Sequence, residues 1–171
     1  MKDPCVLSSG NAVKKAANTI RITSDELLYD HALKVLYSWR HRYLLPLTNF
    51  KSFVTRRLKL KDFKSYIVGS RLKRMQSIIG KIKRFPNMSA ATMQDIAGVR
   101  VIADNVTEVY AIYTALTSSK SNHKPLLPPK DYIKEPKKDG YRSIHQVFEY
   151  VSKTHPEFNG LKIELQIRTQ L

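Results

Sequence analysis

The sequence predicts an α+β fold built around one hydrophobic core. The first third of the chain carries apolar residues at helical spacing, whereas the rest alternates between short apolar runs typical of strands and amphipathic helical stretches. The 171 residues are enough for one domain with a real core, or for a compact domain plus a helical extension. We therefore expect a helical N-terminal extension, residues 1–64, followed by a core of strands and helices, residues 65–171.

Residues 1–22 show no firm period, which predicts a frayed or loosely helical segment. From Thr23 to Glu26 the sequence matches a capping box, and the apolar positions that follow predict a helix that stops near Pro46. A second helix is predicted over residues 49–60. Its inward side chains are expected to be Phe50, Phe53, Val54 and Leu58. Its outward face, RRLKLK, is typical of a solvated charged surface, and the alternative is a surface that contacts RNA.

The segment from Ser65 predicts a short strand, a break at Gly69–Ser70, and then a helix. The apolar side of that helix comprises Met75, Ile78, Ile79 and Ile82. A strand over residues 99–103 and an amphipathic helix over residues 107–116 follow, before a proline-rich loop at residues 118–130.

Two strands are predicted near the end, over residues 141–151 and 161–169. The second alternates regularly, with one apolar face and one polar face. Pairing of the two strands would place Tyr141, Ser143 and His145 beside Glu164 and Gln166. A polar face of this mixed composition indicates either a solvent-exposed surface or a functional site.

Charge is the one unusual feature of the composition. Lys and Arg number 30 against 14 Asp and Glu, which gives a net charge of +16 and a pI near 10.0. Such a field attracts phosphates in nucleic acid, nucleotides or anionic lipid, and the alternative is a basic surface that only maintains solubility. No apolar run approaches the roughly 20 residues of a membrane helix. With no secretory signal and a single cysteine, Cys5, we expect a reducing, cytoplasmic setting.

Two carboxylates stand out in a chain with few acids. Asp95 lies just before a predicted strand and Glu164 lies on the polar face of another. A magnesium ion that acts on phosphates needs few carboxylates, because water and the substrate supply its other ligands. The alternative is that Asp95 forms hydrogen bonds with nearby backbone and that Glu164 pairs with a neighbouring Lys or Arg.

Cations and two aromatic side chains complete the candidate site. Arg71, Lys73, Lys81 and Arg100 are expected to neutralise a triphosphate, unless they are exposed and contribute little. Tyr141 offers a face for stacking on a base, unless it is an ordinary core-edge residue. His145 offers phosphate binding or proton transfer, unless it is a satisfied, partly buried imidazole. The GxxxxGK[ST] and GxGxxG phosphate motifs are absent from the sequence.

Four stretches together resemble the synthetase domain of the RelA/SpoT family, the alarmone (p)ppGpp synthetases. In chain order they are RLKRMQSIIGK, MQDIAGVRV, KDYIKEPKKDGYRSIH and IELQIRT, and the resemblance covers about residues 65–171. It implies a nucleotidyltransferase-like mixed sheet flanked by helices. It also implies transfer of the β,γ-pyrophosphate of ATP to the 3′-hydroxyl of GDP or GTP, with AMP as the second product.

The resemblance also assigns roles to matching positions. Arg71 and Arg100 would hold the adenine end of ATP, and Lys73, Ser77 and Lys81 its phosphates. Asp95 and Glu164 would bind Mg²⁺, and Glu164 would help to activate the attacking hydroxyl. Tyr141 would stack on guanine. The remaining acceptor contacts would be Lys130, Lys137, His145 and Gln166.

The sequence departs from the family pattern at two places. Asp139 stands where the family usually has Asn, which puts a negative charge beside the acceptor phosphates. Relatives continue after the RT step into a helical segment, so the resemblance predicts a core shortened at Leu171. Two alternatives follow: a toxin-like member that pyrophosphorylates the tRNA 3′ end, or an inactive nucleotide- or RNA-binding module. The sequence assigns no oligomeric state.

Overall fold

The computed structural model describes residues 8–118 and 121–170, and it confirms the α+β prediction. The helices are α1 (Gly10–Ile22), α2 (Glu26–His41), α3 (Leu44–Leu60), α4 (Met75–Arg84) and α5 (Val106–Thr117). The strands are β1 (Tyr66–Leu72), β2 (Ala97–Ala103), β3 (Lys124–Pro125), β4 (Lys130–Asp131), β5 (Ile144–Glu149) and β6 (Lys162–Thr169). Cys5, Leu171 and residues 119–120 of the proline-rich loop lie outside the described residues.

The strands form one mixed sheet in the order β1-β2-β6-β5-β3, and β4 also pairs with β5. The β2–β6 pair is parallel, and the other pairs are antiparallel. This confirms the mixed sheet flanked by helices. Since the chain leaves β2 and returns as the parallel strand β6, α5, β3, β4 and β5 all lie within that connection.

The N-terminal helices differ from the prediction at their ends. The first 22 residues include a well-formed helix, α1, which begins after Ser9 and buries Val13, Ala16, Ala17 and Ile20. The predicted capping box is wrong, because Asp25 is the N-cap of α2 and accepts a hydrogen bond from the Leu28 N–H. Thr23 instead ends α1.

Pro46 does not end a helix as predicted. It lies in the first turn of α3, where the backbone needs no N–H donor, and α2 has already ended at His41. The predicted inward side of α3 is confirmed for Phe50, Val54 and Leu58, which are fully buried, whereas Phe53 is only partly buried. The proposed division between residues 1–64 and 65–171 stays a prediction. Side chains from both parts join one buried cluster.

β1 runs without the break predicted at Gly69–Ser70. Gly69 pairs with Arg100 and Ser70 with Val99, so both residues take part in the antiparallel ladder with β2. The turn comes later, before α4, where the Lys73 N–H donates to the Ile96 carbonyl.

Each central strand has one buried and one open face. Alternate residues of β2, β5 and β6 are buried, and α3 and α5 pack on that buried side. Phe50 of α3, for example, packs against Phe148 of β5 with ring centroids 5.2 Å apart. The opposite face carries polar side chains and remains open to a cavity. None of the described helices is long and apolar enough to cross a membrane.

Candidate active site

Strand register brings the predicted polar residues together on the open face of the sheet. Gln166 lies opposite Arg100 of β2 and opposite His145 of β5, while Glu164 lies opposite Gly98. On the other edge His145 pairs with Lys130 of β4. These rows form one wall of a cavity of about 500 Å³. Its lining residues are Gly69, Ser70, Arg71, Lys73, Lys81, Gln94, Asp95, Gly98, Val99, Arg100, Lys130, Tyr132, Lys137, His145, Glu164 and Gln166.

Asp95 lies in the approach to β2 and is held by two lysines. Lys73 Nζ lies 2.9 Å from Asp95 Oδ2, and Lys81 Nζ lies 3.2 Å from both carboxylate oxygens. Burial acts to raise the pKa of Asp95, but the hydrogen bonds and charges of Lys73 and Lys81 outweigh it and hold the pKa below the usual value. The carboxylate is therefore ionised at neutral pH, with two cations beside it.

Glu164 lies on β6 in a different setting. His145 Nδ1 lies 3.0 Å from Glu164 Oε1, and Gln166 Nε2 donates to Glu164 Oε2 at 2.7 Å. Burial acts to raise the pKa of Glu164, but the hydrogen bond and electrostatic interaction with His145 and the hydrogen bond from Gln166 outweigh it. The net pKa lies below the usual value. The negative charge of Asp95 opposes this change, so the two carboxylates interact across the cavity.

A chain of hydrogen bonds extends from Glu164 in both directions. Tyr141 Oη lies 2.9 Å from His145 Nε2, at the far side of the imidazole from Glu164. With a neutral imidazole, Nδ1–H donates a hydrogen bond to the carboxylate, and Nε2 accepts a hydrogen bond from the Tyr141 hydroxyl. On the other side, Gln166 Oε1 accepts from Arg100 Nη2 at 3.1 Å. Tyr141, Glu164 and Arg100 are thus fixed relative to one another.

Aromatic rings and a lysine form the rim near Tyr141. Lys137 Nζ lies 4.5 Å from the ring centroid of Tyr132 and 5.0 Å from that of Tyr141. Gly140 has φ +78°, a conformation that favours glycine, and the Tyr141 N–H donates to Asp139 Oδ1 at 3.1 Å. Asp139 therefore closes the turn that presents Tyr141, which gives this acid a local structural role.

Ten of the twelve predicted site residues line this cavity. They are Arg71, Lys73, Lys81, Asp95, Arg100, Lys130, Lys137, His145, Glu164 and Gln166. Tyr141 is not part of the lining and reaches it through His145. Ser77 lies in an adjoining cleft that shares Lys73 and Lys81 with the cavity.

Sequence reasoning misplaced one side chain and missed three. Ser143 precedes β5 and is fully buried, where its hydroxyl donates to the Ile167 carbonyl, so the expected position beside Glu164 is wrong. Tyr132, Gln94 and Ser70 line the cavity without having been assigned a role. Tyr132 follows Lys130 by two residues in the KDYIKEPKKDGYRSIH stretch, and an aromatic residue among these lysines was the signal that could have found it.

Comparison with known proteins places this arrangement in a family. A family model described as a region found in RelA / SpoT proteins matches residues 70–171. The GTP pyrophosphokinase YjbM of Bacillus subtilis is 36% identical over 104 residues, which is 60% of this chain and 48% of that protein. YwaC of the same species, also named GTP pyrophosphokinase, is 32% identical over 105 residues, 58% of this chain and 49% of its own length.

A solved structure agrees with this match. The small alarmone synthetase 1 of Bacillus subtilis bound to its product pppGpp superposes with a TM-score of 0.62 at 29% identity, covering 74% of this chain and 69% of that one. The present chain spans about half the length of the two GTP pyrophosphokinases. Since the family model covers more than half of the chain, and the matched region contains the cavity, this protein belongs to the RelA/SpoT family.

Proposed function

We propose that this chain transfers the β,γ-pyrophosphate of ATP to the 3′-hydroxyl of GDP or GTP and releases AMP. The observation that carries the proposal is one cavity with two interacting carboxylates, Asp95 and Glu164, among six Lys or Arg side chains. The names of two relatives and the pppGpp bound to a similar synthetase support the same reaction. Because the chain spans half of those relatives, the whole activity is a proposal.

The cations suit a triphosphate donor. Lys73 and Lys81 approach Asp95 from β1's end and from α4, so their ammonium groups already converge on one point. Ser77 lies in the first turn of α4, where backbone N–H groups favour an anion. Arg71 and Arg100, two residues out of register on neighbouring strands and therefore on the same face of the sheet, would hold the adenine end of ATP. The donor would thus lie along β1 and β2.

The two carboxylates fit a magnesium ion. The charge of Asp95 acts to raise the pKa of Glu164, although the net pKa is lowered, and a cation held by both carboxylates would relieve this repulsion. Magnesium is commonly held by one or two carboxylates together with substrate phosphates, so Asp95 and Glu164 suffice. The described residues contain no group of three acidic, histidine or cysteine ligands, which suits a metal that the substrate helps to bind. When bound, the ion would neutralise the charge that develops on the transferred phosphates.

Glu164 would act on the acceptor. Each of its oxygens accepts one hydrogen bond from the protein and retains room for another, so the carboxylate can also accept the 3′-hydroxyl proton. Tyr141 would stack on guanine, while Lys130 and Lys137 would bind the acceptor phosphates. His145 and Gln166 fix the orientation of the carboxylate. In such transfers the enzyme mostly positions groups and stabilises charge.

An acceptor assay tests the proposal. The protein is incubated with Mg²⁺ and ATP labelled at the γ-phosphate, and with GDP, GTP or deacylated tRNA in separate reactions. We expect label on the guanosine nucleotide and an equal amount of AMP. Label on tRNA alone would replace the proposal with the tRNA-modifying alternative. Nucleotide binding without transfer to any acceptor would identify an inactive module and overturn it.

A further inference from the structure

A second, larger cavity lies apart from the candidate active site. Its volume is about 980 Å³, at the upper end of the usual range for small-molecule sites. It lies between α3 and the segments that precede β3 and follow β5, on the side of the sheet where α3 packs. Among the described residues, none lines both this cavity and the candidate active site.

Among the described residues, the Lys and Arg side chains that line this cavity are not accompanied by acidic ones. Arg56, Arg57 and Lys153 line it, and none of the other described lining residues is Asp or Glu. Arg57 Nε donates to the Ala115 carbonyl at 3.3 Å, which positions its guanidinium group without neutralising it. Across residues 8–118 and 121–170, neither Arg56 nor Lys153 forms an ion pair. Three uncompensated cations around a concave surface favour a polyanion.

Aromatic rings form one wall of the same cavity. Phe53 and His123 are both partly exposed, and their ring centroids lie 5.2 Å apart. His123 stacks on the buried Tyr150 at 5.1 Å and accepts the Val151 N–H at Nδ1. Burial lowers the pKa of His123, so the imidazole presents a neutral ring. The wall therefore offers rings that are already held in place, one helical turn from Arg56 and Arg57.

We propose that this cavity binds a free nucleoside polyphosphate, with its base against Phe53 and His123 and its phosphates beside Arg56, Arg57 and Lys153. Inorganic phosphate alone would leave the aromatic wall unused, since a stacked base adds binding energy that an inorganic anion lacks. The neutral side chains of Ser52, Asn122 and Thr154 supply further hydrogen bonds around the rim. The site requires no residue of the candidate active site.

An NMR titration separates the two sites. GTP is added to ¹⁵N-labelled protein, and the amides of residues 122 and 151–154 report on the second cavity while those of Gly98 and Glu164 report on the candidate active site. We expect both groups of amides to shift. Shifts at Gly98 and Glu164 alone would overturn this inference and leave the proposed reaction standing. Shifts at residues 122 and 151–154 alone would support the second site and count against the first.

Paired variants test the residues. Arg56→Gln/Lys153→Gln should weaken GTP binding at the second cavity by at least about tenfold, because each charge-assisted contact is worth that much when partly desolvated. The control Lys34→Gln/Lys59→Gln removes the same charge from exposed positions outside the cavity and should leave this affinity within about twofold.

Three ligands define the chemistry. Inorganic pyrophosphate should bind the second cavity at least about fivefold more weakly than GTP, given the usual value of a stacked base. Equal affinity would overturn the role of the rings. Short single-stranded RNA that binds there more tightly than GTP would overturn the assignment to a free nucleotide.

Discussion

Replacement of Glu164 by Gln is the most informative perturbation of the candidate active site. The Glu164→Gln variant keeps the shape of the side chain but removes its charge. The Glu164 side chain is only 20% exposed, so water screens the lost charge weakly. Its amide oxygen can still accept from Gln166, but its amide NH₂ then faces His145 Nδ1, which must change from donor to acceptor. The proton would move to Nε2, and Tyr141 would have to accept instead of donate.

The expected loss of rate follows from the two roles of the carboxylate. Removal of a general base typically lowers the rate by about 10²–10⁴-fold. At about 1.4 kcal/mol for each factor of ten, this equals roughly 3–6 kcal/mol of transition-state stabilisation. Loss of one of two candidate metal ligands adds to that figure. Nucleotide affinity should fall much less, because the cations that would hold the phosphates are unchanged.

The assay is transfer of label from ATP to GDP or GTP, measured with AMP release. Glu149→Gln is the matched control, since Glu149 lies in β5 on the same face of the sheet but outside the cavity. It should retain activity within about twofold. A Glu164→Gln variant that transfers label at the wild-type rate would refute the role of this carboxylate in the transfer.

Three further predictions concern stability. Phe50 is fully buried among aromatic rings, so Phe50→Ala should lower the free energy of unfolding by about 3–5 kcal/mol in urea, whereas Leu60→Ala, at a position 72% exposed, should change it by less than about 0.5 kcal/mol. Burial raises the pKa of Tyr43 to about 12, so the protonated hydroxyl stabilises the fold fully below pH 10, and this stabilisation is lost as the pH rises from 10 to 12. A Tyr43→Phe variant should lack this loss in urea titrations at alkaline pH. The pKa of Asp95 is lowered in the folded protein, so the ionised carboxylate stabilises the fold above the pKa of the unfolded chain, and this stabilisation is lost as the pH falls below about 4. Asp95→Asn should reduce the difference in the free energy of unfolding between pH 7 and pH 3.

The sequence predicted the sheet residues of the site well, because their pattern depends on local alternation. Once Glu164 and Gln166 are assigned to one face of a strand, register alone places Arg100 and His145 beside them. Helix ends were predicted less well. Thr23 and Asp25 are both good N-cap residues, and tertiary packing of α1 against α2 decides between them. Pro46 is compatible with both the end of one helix and the first turn of the next.

The second cavity could not be predicted from the sequence. Phe53 and Arg57 lie close in sequence, and a helical pattern predicts their proximity. His123 and Lys153, however, come from two loops that the sheet brings beside α3, and no local period encodes that contact. The prediction that the RRLKLK stretch is charged and partly exposed was therefore correct. The second cavity beside it depends on contacts between residues that are distant in sequence.

The two halves of the candidate active site are anchored unequally. Arg100 and Glu164 belong to the seven-residue strand β2 and the eight-residue strand β6, which pair with each other inside the sheet. The segment with Tyr132, Lys137 and Tyr141, which would contact the acceptor, lies between β4 and β5 and belongs to neither strand. Backbone amides on the acceptor side should therefore exchange with solvent sooner than those of β2 and β6. Binding of an acceptor nucleotide would then order this segment, at a cost in conformational entropy that ATP binding along β1 and β2 does not carry.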